Sequence, residues 1–303
     1  MIPLITTEQE SPTQTEKMKT EEIYNAINEE ILAKLEEGVV PWDKPWSSHP
    51  AANMATKKAY RGVNQFLLGL KPFNSPFWAT FKQIKDLGGK VKKGSKSSLV
   101  VFWKRFVPKD QISLPKEDQE VRFMLKHYRV FNLEQTEGID IEALPKIEQC
   151  ENFGDIEAAE AIMEGYQGGP SLTEGKEAFY TPVWDSITMP AKKSFKDEES
   201  YYAVLFHEAI HSTGHKKRLD RLNMSDEGKI AAFGSETYAK EELVAEMGAS
   251  FLCGVAGIWA KPDRPASYIK SWMRKIKDEP KALVSAAGLA QKAADHILGV
   301  KFD

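Results

Sequence analysis

Residues 198–217 read EESYYAVLFHEAIHSTGHKK, and the pentad His207-Glu208-Ala209-Ile210-His211 inside them decides how the second half of the chain folds. Histidines four residues apart lie on one helical face about one turn apart, so two imidazole nitrogens can meet one tetrahedral ion. Glu208 projects beside such an ion, where it can take the proton of a water whose pKa the metal lowers. Apolar Tyr202, Leu205, Phe206, Ala209 and Ile210 flank the pentad. The helix they imply is partly buried, and buried histidines beside a carboxylate are costly without a metal or other partners. The pattern predicts a helix over 198–213, preceded by a strand or extended edge in AFYTPVWDSITM (178–189). That edge could pair with an extended peptide by strand addition.

A tetrahedral site needs a third protein ligand. Gly214 stands where three-histidine zincins keep their glycine, but the place of their third histidine holds Lys217. His215 follows His211 by only four residues and would require a sharp reversal of the helix. A second helix is predicted over 238–255, where Glu242 and Glu246 stand at i and i+4 in YAKEELVAE. Glu242 is the favoured ligand, with Glu246 orienting a ligand histidine through its second nitrogen. Glu241, Glu246 and His215 are the alternatives. Zinc (Zn2+) is the default ion, and the same ligands accept manganese (Mn2+) or cobalt (Co2+). Tyr180, Tyr238 and His215 are candidates for stabilising an oxyanion.

Outward from this centre, helices are predicted over 266–277 and 280–298, and the segment 134–175 is acidic with Gly168 to Pro170 as a junction signal. The first half reads α+β: a helix with Ile23, Ile27, Ile31 and Leu35 stopped at Gly38, a short helix at 78–87, and strands at 99–107 and 121–133. Only Cys150 and Cys253 occur in 303 residues, which excludes a disulfide framework and a multi-cysteine zinc site. The absence of a long apolar run and of a secretory start points to no membrane span and a cytoplasmic location.

The net charge of −3 hides a segregation: residues 57–111 carry 13 Lys or Arg against Asp86 and Asp110. That balance suits a polyanion. Aromatics are interleaved with it, and single strands are bound by cationic grooves on whose rings bases stack. Candidates are Trp42, Trp46, Tyr60, Arg61, Trp78, Lys82, Lys92, Lys93, Trp103 and Lys104, with Asn64 able to add hydrogen bonds. Several of these tryptophans could instead be core, and Trp103 could face either way. No helix-turn-helix or zinc-finger signal is present.

Together, PWDKPW, NMATKKAYRGVNQFLL, SPFWATFKQIKDLGGKVKKGSKSSLVVFWK, YRVFNLEQTEG, AFYTPVWDSITMP, YYAVLFHEAIHSTGHKKRLDR and TYAKEELVAEMGASFL resemble the ArdC antirestriction proteins of conjugative plasmids and other mobile elements. The resemblance implies an α+β chain of two domains. The first binds single-stranded DNA and is similar to a domain attached to plasmid primases; the second is a mostly helical zincin-like metallopeptidase. The expected limits are a disordered tail at 1–16, a DNA-binding domain at 17–148, a junction at 149–175 and the metallopeptidase domain at 176–303. The resemblance further implies protection of incoming DNA from host restriction. Coupling the two halves suggests that the metal domain cleaves or docks a DNA-associated protein. The alternatives are a DNA-coating protein with an inactive zincin fold and a primase-associated binding protein. In zincins with a glutamate ligand, an acid orienting a ligand histidine stands four residues beyond it; Glu246 keeps the spacing with Glu in place of Asp or Asn.

Overall fold

The computed structural model describes residues 18–43, 50–142, 144, 156–221, 236–258 and 266–300, with backbone alone at 236–238 and 266. The expected disordered tail and Trp46 lie outside the described residues. The first half runs α1 (Thr20–Glu36), β1 (Ala52–Asn53), α2 (Val63–Gly69), β2 (Phe77–Thr80), α3 (Phe81–Asp86), β3 (Lys90–Val91), β4 (Ser98–Phe106), β5 (Arg122–Asn132) and β6 (Thr136–Glu137). The second half runs α4 (Ile156–Glu164), β7 (Ser171–Glu174), β8 (Phe179–Thr181), β9 (Ser186–Met189), α5 (Glu198–Thr213), α6 (Glu236–Ala256), α7 (Ala266–Asp278) and α8 (Ala282–Ile297).

Helix α1 forms as its apolar spacing predicts. Ile23, Ile27, Ile31 and Leu35 are all buried, and Gly38 ends the helix at φ 78°, which costs a residue without Cβ little. The short helix predicted at 78–87 is a correction: Trp78 to Thr80 are strand, and only Phe81–Asp86 are helical. Strand β5 supplies the pairing that overrides helix propensity there, with Trp78 opposite Asn132 and Thr80 opposite Val130. Thr80 then caps α3 by accepting from the Gln83 N–H at 3.3 Å.

The main sheet has the order β1-β2-β5-β4. Strand β2 reaches only Val130 to Asn132 of β5, whereas β4 pairs with β5 from Val130 back to Arg122. The two strands therefore outrun the sheet as a two-stranded ribbon. A second sheet, β7-β9-β8, places β8 at an edge. Residues 156–174, expected within the junction, form α4 and β7, and Ala159 and Tyr166 join the core around α5 and α6.

That core is continuous between the halves. Phe66 of α2 stacks on Phe251 of α6 at 5.0 Å, and Trp42 meets Trp272 of α7 edge-on at 5.4 Å. Polar ties accompany these contacts: Gly62 N–H donates to Gln291 Oε1 at 3.0 Å, Asn28 Nδ2 donates to the Pro280 carbonyl at 2.9 Å, and Arg61 pairs with Asp295. Burial of each large aromatic stabilises by roughly 1.5–3 kcal/mol. Among the described residues no helix is long and apolar enough to cross a membrane.

Candidate metal centre

Two antiparallel-packed surfaces, one on α5 and one on α6, build the site. Helix α5 opens at Asp197, whose side chain accepts from Ser200 N–H at 2.8 Å, and closes at Gly214. Its apolar face holds Leu205, Phe206, Ala209 and Ile210 in the core, so His207 and His211 must share the adjoining face. Helix α6 approaches closely because Gly248 faces Ile210: a Cβ there would lie 2.7 Å from Ile210 Cδ1. This proximity brings the α6 carboxylates to the histidines.

His207, His211 and Glu242 each aim one ligand atom into a common space, all within 4.8 Å of one another. His207 Nε2 and His211 Nε2 are 3.1 Å apart. Glu242 Oε2 lies 3.6 Å from His207 Nε2, and its Oε1 lies 3.4 Å from His211 Nε2. Ligands at about 2.0–2.1 Å from a tetrahedral ion sit about 3.3 Å from each other. The nitrogen–nitrogen separation lies near that edge length, and each histidine nitrogen meets a different oxygen of Glu242 at a similar distance. His211 Nδ1 faces Glu241 Oε1 at 3.2 Å, so a cation that displaces the inner proton leaves the outer one held there and Nε2 free to bind. Two imidazole nitrogens converging beside a carboxylate are the donor set of a divalent cation. Glu208 is buried beside them and its charge biases His207.

Electrostatics of the cluster follow from this crowding. Burial pulls the His211 pKa down, but Glu241 and Glu242 outweigh it and raise it to about 10. His207 is likewise raised, with Glu242 overcoming burial. Burial pushes Glu242 up, yet the two histidines hold it well below the usual carboxylate range. Such a cluster keeps protons that a cation displaces on binding.

Glu246 stands 4.0 Å from His207 Nδ1. Glu241, considered in the sequence only as an alternative ligand, instead faces the outer nitrogen of His211 and is clamped by Arg221. Arg221 Nε donates to Glu241 Oε2 at 3.0 Å, and Nη2 donates to Glu241 Oε1 at 2.7 Å and to the Ile210 carbonyl at 2.6 Å. Arg221 had no sequence signal, since it lies beyond the helix in a loop. His215 is buried, accepts from Lys217 N–H at 3.2 Å, and is outside the ligand cluster. Tyr180 is engaged elsewhere: its hydroxyl donates to Asp185 Oδ1 at 2.9 Å and accepts from Arg218 Nη2 at 3.1 Å. Burial first, and then Asp185, raise its pKa. Arg218 also donates to the Ser212 carbonyl at 2.7 Å, which pins the β8–β9 turn to the end of α5. The Tyr238 side chain lies outside the described residues.

The candidate DNA residues separate into two groups. Trp42 and Trp78, expected as stacking platforms, are corrected to core: they are 1% and 2% exposed, packed on Phe66 and Trp272 and on Phe73. Asn64 is also structural, clamping the Val101 backbone with bonds of 2.7 and 2.8 Å. Tyr60 is half-buried and accepts from Asn53 at 3.1 Å, and Arg61 is paired with Asp295. Lys82, Lys92, Lys93, Trp103 and Lys104 face solvent. Beside Trp103 the structure exposes Phe123 and Tyr128, whose exposure the strand pattern does not signal.

Comparison with known proteins supplies independent information. A family described as the N-terminal domain of anti-restriction factor ArdC matches residues 21–131, and one described as zincin-like metallopeptidase matches residues 157–289. The metal-free crystal structure of the antirestriction protein ArdC from plasmid R388 is similar at a TM-score of 0.73 and 34% identity, over 91% of this chain and 97% of that one. The Mn(II)-bound structure of the same protein gives 0.74 at 33% identity, over 91% and 97%. The DNA primase TraC of Escherichia coli is 33% identical over 290 residues, 91% of this chain, and the chain spans only 20% of that primase. Uncharacterized protein y4eC of Sinorhizobium fredii is 33% identical over 290 residues, 90% of this chain and 91% of that protein.

Proposed function

The chain belongs to the ArdC antirestriction protein family, and from that footing we propose that it binds single-stranded DNA and carries a working metallopeptidase centre. Its role is then to protect incoming DNA from host restriction. The observation that carries the reading is the convergence of His207, His211 and Glu242 beside buried Glu208. The metal-bound state of the R388 relative supports a divalent cation. Zinc is the expected ion, with manganese and cobalt accepted by the same ligands.

When bound, the cation supplies Lewis-acid activation of a water and of the scissile carbonyl. Everything else falls to the chain. His207, His211 and Glu242 hold the ion, while Glu241 and Glu246 orient the imidazoles through their outer nitrogens. Glu208 accepts the proton of the attacking water and returns it to the leaving amine. Edge strand β8 offers an extended peptide of a DNA-associated protein a partner for backbone pairing. The cationic 57–111 segment keeps the centre on DNA.

Glu208→Gln tests the reading, because it keeps the ligands and removes the base. The variant is expected to retain metal and DNA binding while losing protection of transferred DNA. Undiminished protection would mean that occupancy of the DNA, not proteolysis, does the work.

A further inference from the structure

We propose that the single strand lies along one face of the β4–β5 ribbon, with bases stacked on Trp103 and Phe123 and phosphates held beside them by Arg105. The proposal rests on the single-strand reading above and gives it a place.

The ribbon is unlike the rest of the surface. Its two strands, Ser98–Phe106 and Arg122–Asn132, carry Lys104, Arg105, Arg122, Lys126 and Arg129 and no Asp or Glu. Trp103 is 53% exposed and Phe123 is 63% exposed. Large rings left in water add little to the stability of a monomer, and grouped together they mark a binding surface.

Register sorts these groups onto faces. Trp103 pairs with Leu125 and Arg105 with Phe123, so Trp103, Arg105 and Phe123 share one face. Phe102, Lys104, Lys126 and Tyr128 share the other, where the Phe102 and Tyr128 rings already stack on each other at 4.8 Å. Trp103 and Phe123 have no ring partner among the described residues, so their π-faces are available. They occupy diagonal positions, which lie about 7–8 Å apart. Neighbouring bases, which rise about 3.4 Å per step when stacked and more when extended, can span that interval.

Charge favours nucleic acid over a protein partner: the strands contain five cations and no acid, and of the five Arg122 is paired with Glu120 just outside β5. Exposed rings favour single over double strands, since the bases of a duplex have no free face to offer. The ribbon projects beyond the third strand of the sheet; on this face Leu99, Val101 and Leu125 turn into the core, and Trp103, Arg105 and Phe123 form the exposed stretch that ligand can reach. Asn64 fixes its base: the clamp on Val101 ties β4 to α2 just before the exposed residues begin.

The test uses the full chain loaded with metal and a fluorescein-labelled oligo-dT of about 20 nucleotides, longer than the sites known for single-strand binders. Anisotropy is read at several salt concentrations. Trp103→Ala and Phe123→Ala are each expected to weaken binding about ten-fold with an unchanged salt slope, and Trp103→Phe is expected to restore most of it. Arg105→Gln is expected to lower the salt slope by about one. Trp184→Ala, at a more exposed tryptophan outside the ribbon, is expected to bind as the parent does. If the parent binds oligo-dT and the Trp103→Ala/Phe123→Ala double variant binds equally well, the ribbon is not the site while the single-strand reading stands. If the parent does not bind oligo-dT at all, that reading falls and the ribbon proposal with it. Equal affinity for duplex of the same length overturns stacking. Loss of a protein partner, with DNA affinity intact in the double variant, would make the ribbon a protein-docking surface and overturn the proposal.

Discussion

The metal centre and the β4–β5 ribbon solve opposite problems. At the centre, polar and charged groups are buried, and each is held by several others: Glu241 faces His211 and takes two bonds from Arg221, which also bonds the Ile210 carbonyl. On the ribbon, aromatic groups are exposed, and Trp103 and Phe123 lack ring partners among the described residues. A buried charge must be paired or its free energy cost unfolds the site. An exposed ring needs nothing from the fold, so its orientation is free to serve a ligand. Substitutions should therefore affect metal and stability in the first region, and affinity alone in the second.

Glu242→Ala should break the first region most completely. With two ligands left, metal content measured after dialysis at neutral pH should fall to near zero, while His215→Ala retains the ion. Retention by Glu242→Ala would move the third ligand elsewhere.

The next effect in size concerns the shared core. Phe251→Ala removes the ring stacked on Phe66 and should cost about 3–5 kcal/mol. Because α6 packs on both halves, tryptophan fluorescence and metal release should follow a single denaturant transition, shifted as a whole. Two separated transitions would show that the halves are energetically independent.

Glu241→Gln and Arg221→Met sharpen the comparison further. Loss of an outer hydrogen-bonding partner of a ligand histidine weakens metal binding by about 10–100-fold. Calorimetric titration with Zn2+ should show this for both variants, and Arg221→Met, which strips the buried Glu241 carboxylate of its cation, should also lower stability; unchanged affinity would reduce the Arg221 clamp to a structural tie.

Asp185 offers a smaller, pH-dependent effect. Burial opposes its ionisation, but Arg218 and Tyr180 prevail and lower its pKa from 3.8 to about 2. A folded pKa below the unfolded one stabilises above the unfolded value, and that contribution is lost as pH falls through the folded value. The stability difference between parent and Asp185→Asn should thus be constant near neutrality and shrink between about pH 4 and pH 2. A difference that grows on acidification would contradict the ion pair. The smallest effect belongs to the ribbon: Trp103→Ala should change stability by no more than about 0.5 kcal/mol in thermal unfolding.

Much of the metal centre was legible because helical spacing projects directly into space. The pentad at 207–211 puts two histidines on one face of α5 wherever that helix goes, and the Glu242–Glu246 spacing does the same on α6. The partner of His211 was less legible. Glu241 and Glu242 are adjacent, and which of them joins the two histidine nitrogens depends on the rotation of α6 against α5, set by the contact of Gly248 with Ile210. In the basic half, period and composition identified the strands but not which aromatics they expose. Trp42, Trp78 and Trp103 look alike as residues; one is buried by α7, one by the sheet, and one projects past it.

By itself the sequence determined α1 and the helices α5 to α8, the strands β4 and β5, the pentad that sets His207, Glu208 and His211 on α5, and the cationic character of the first half. These are local properties, carried by residues within a turn or a strand of each other. Only the tertiary structure decided that Glu242 completes the cluster while Glu241 and Arg221 brace it, that one core runs through both halves, and that the free rings lie on the ribbon. Each of those depends on contacts between segments tens to hundreds of residues apart, and burial is settled by what arrives from a distance, not by the side chain that is covered.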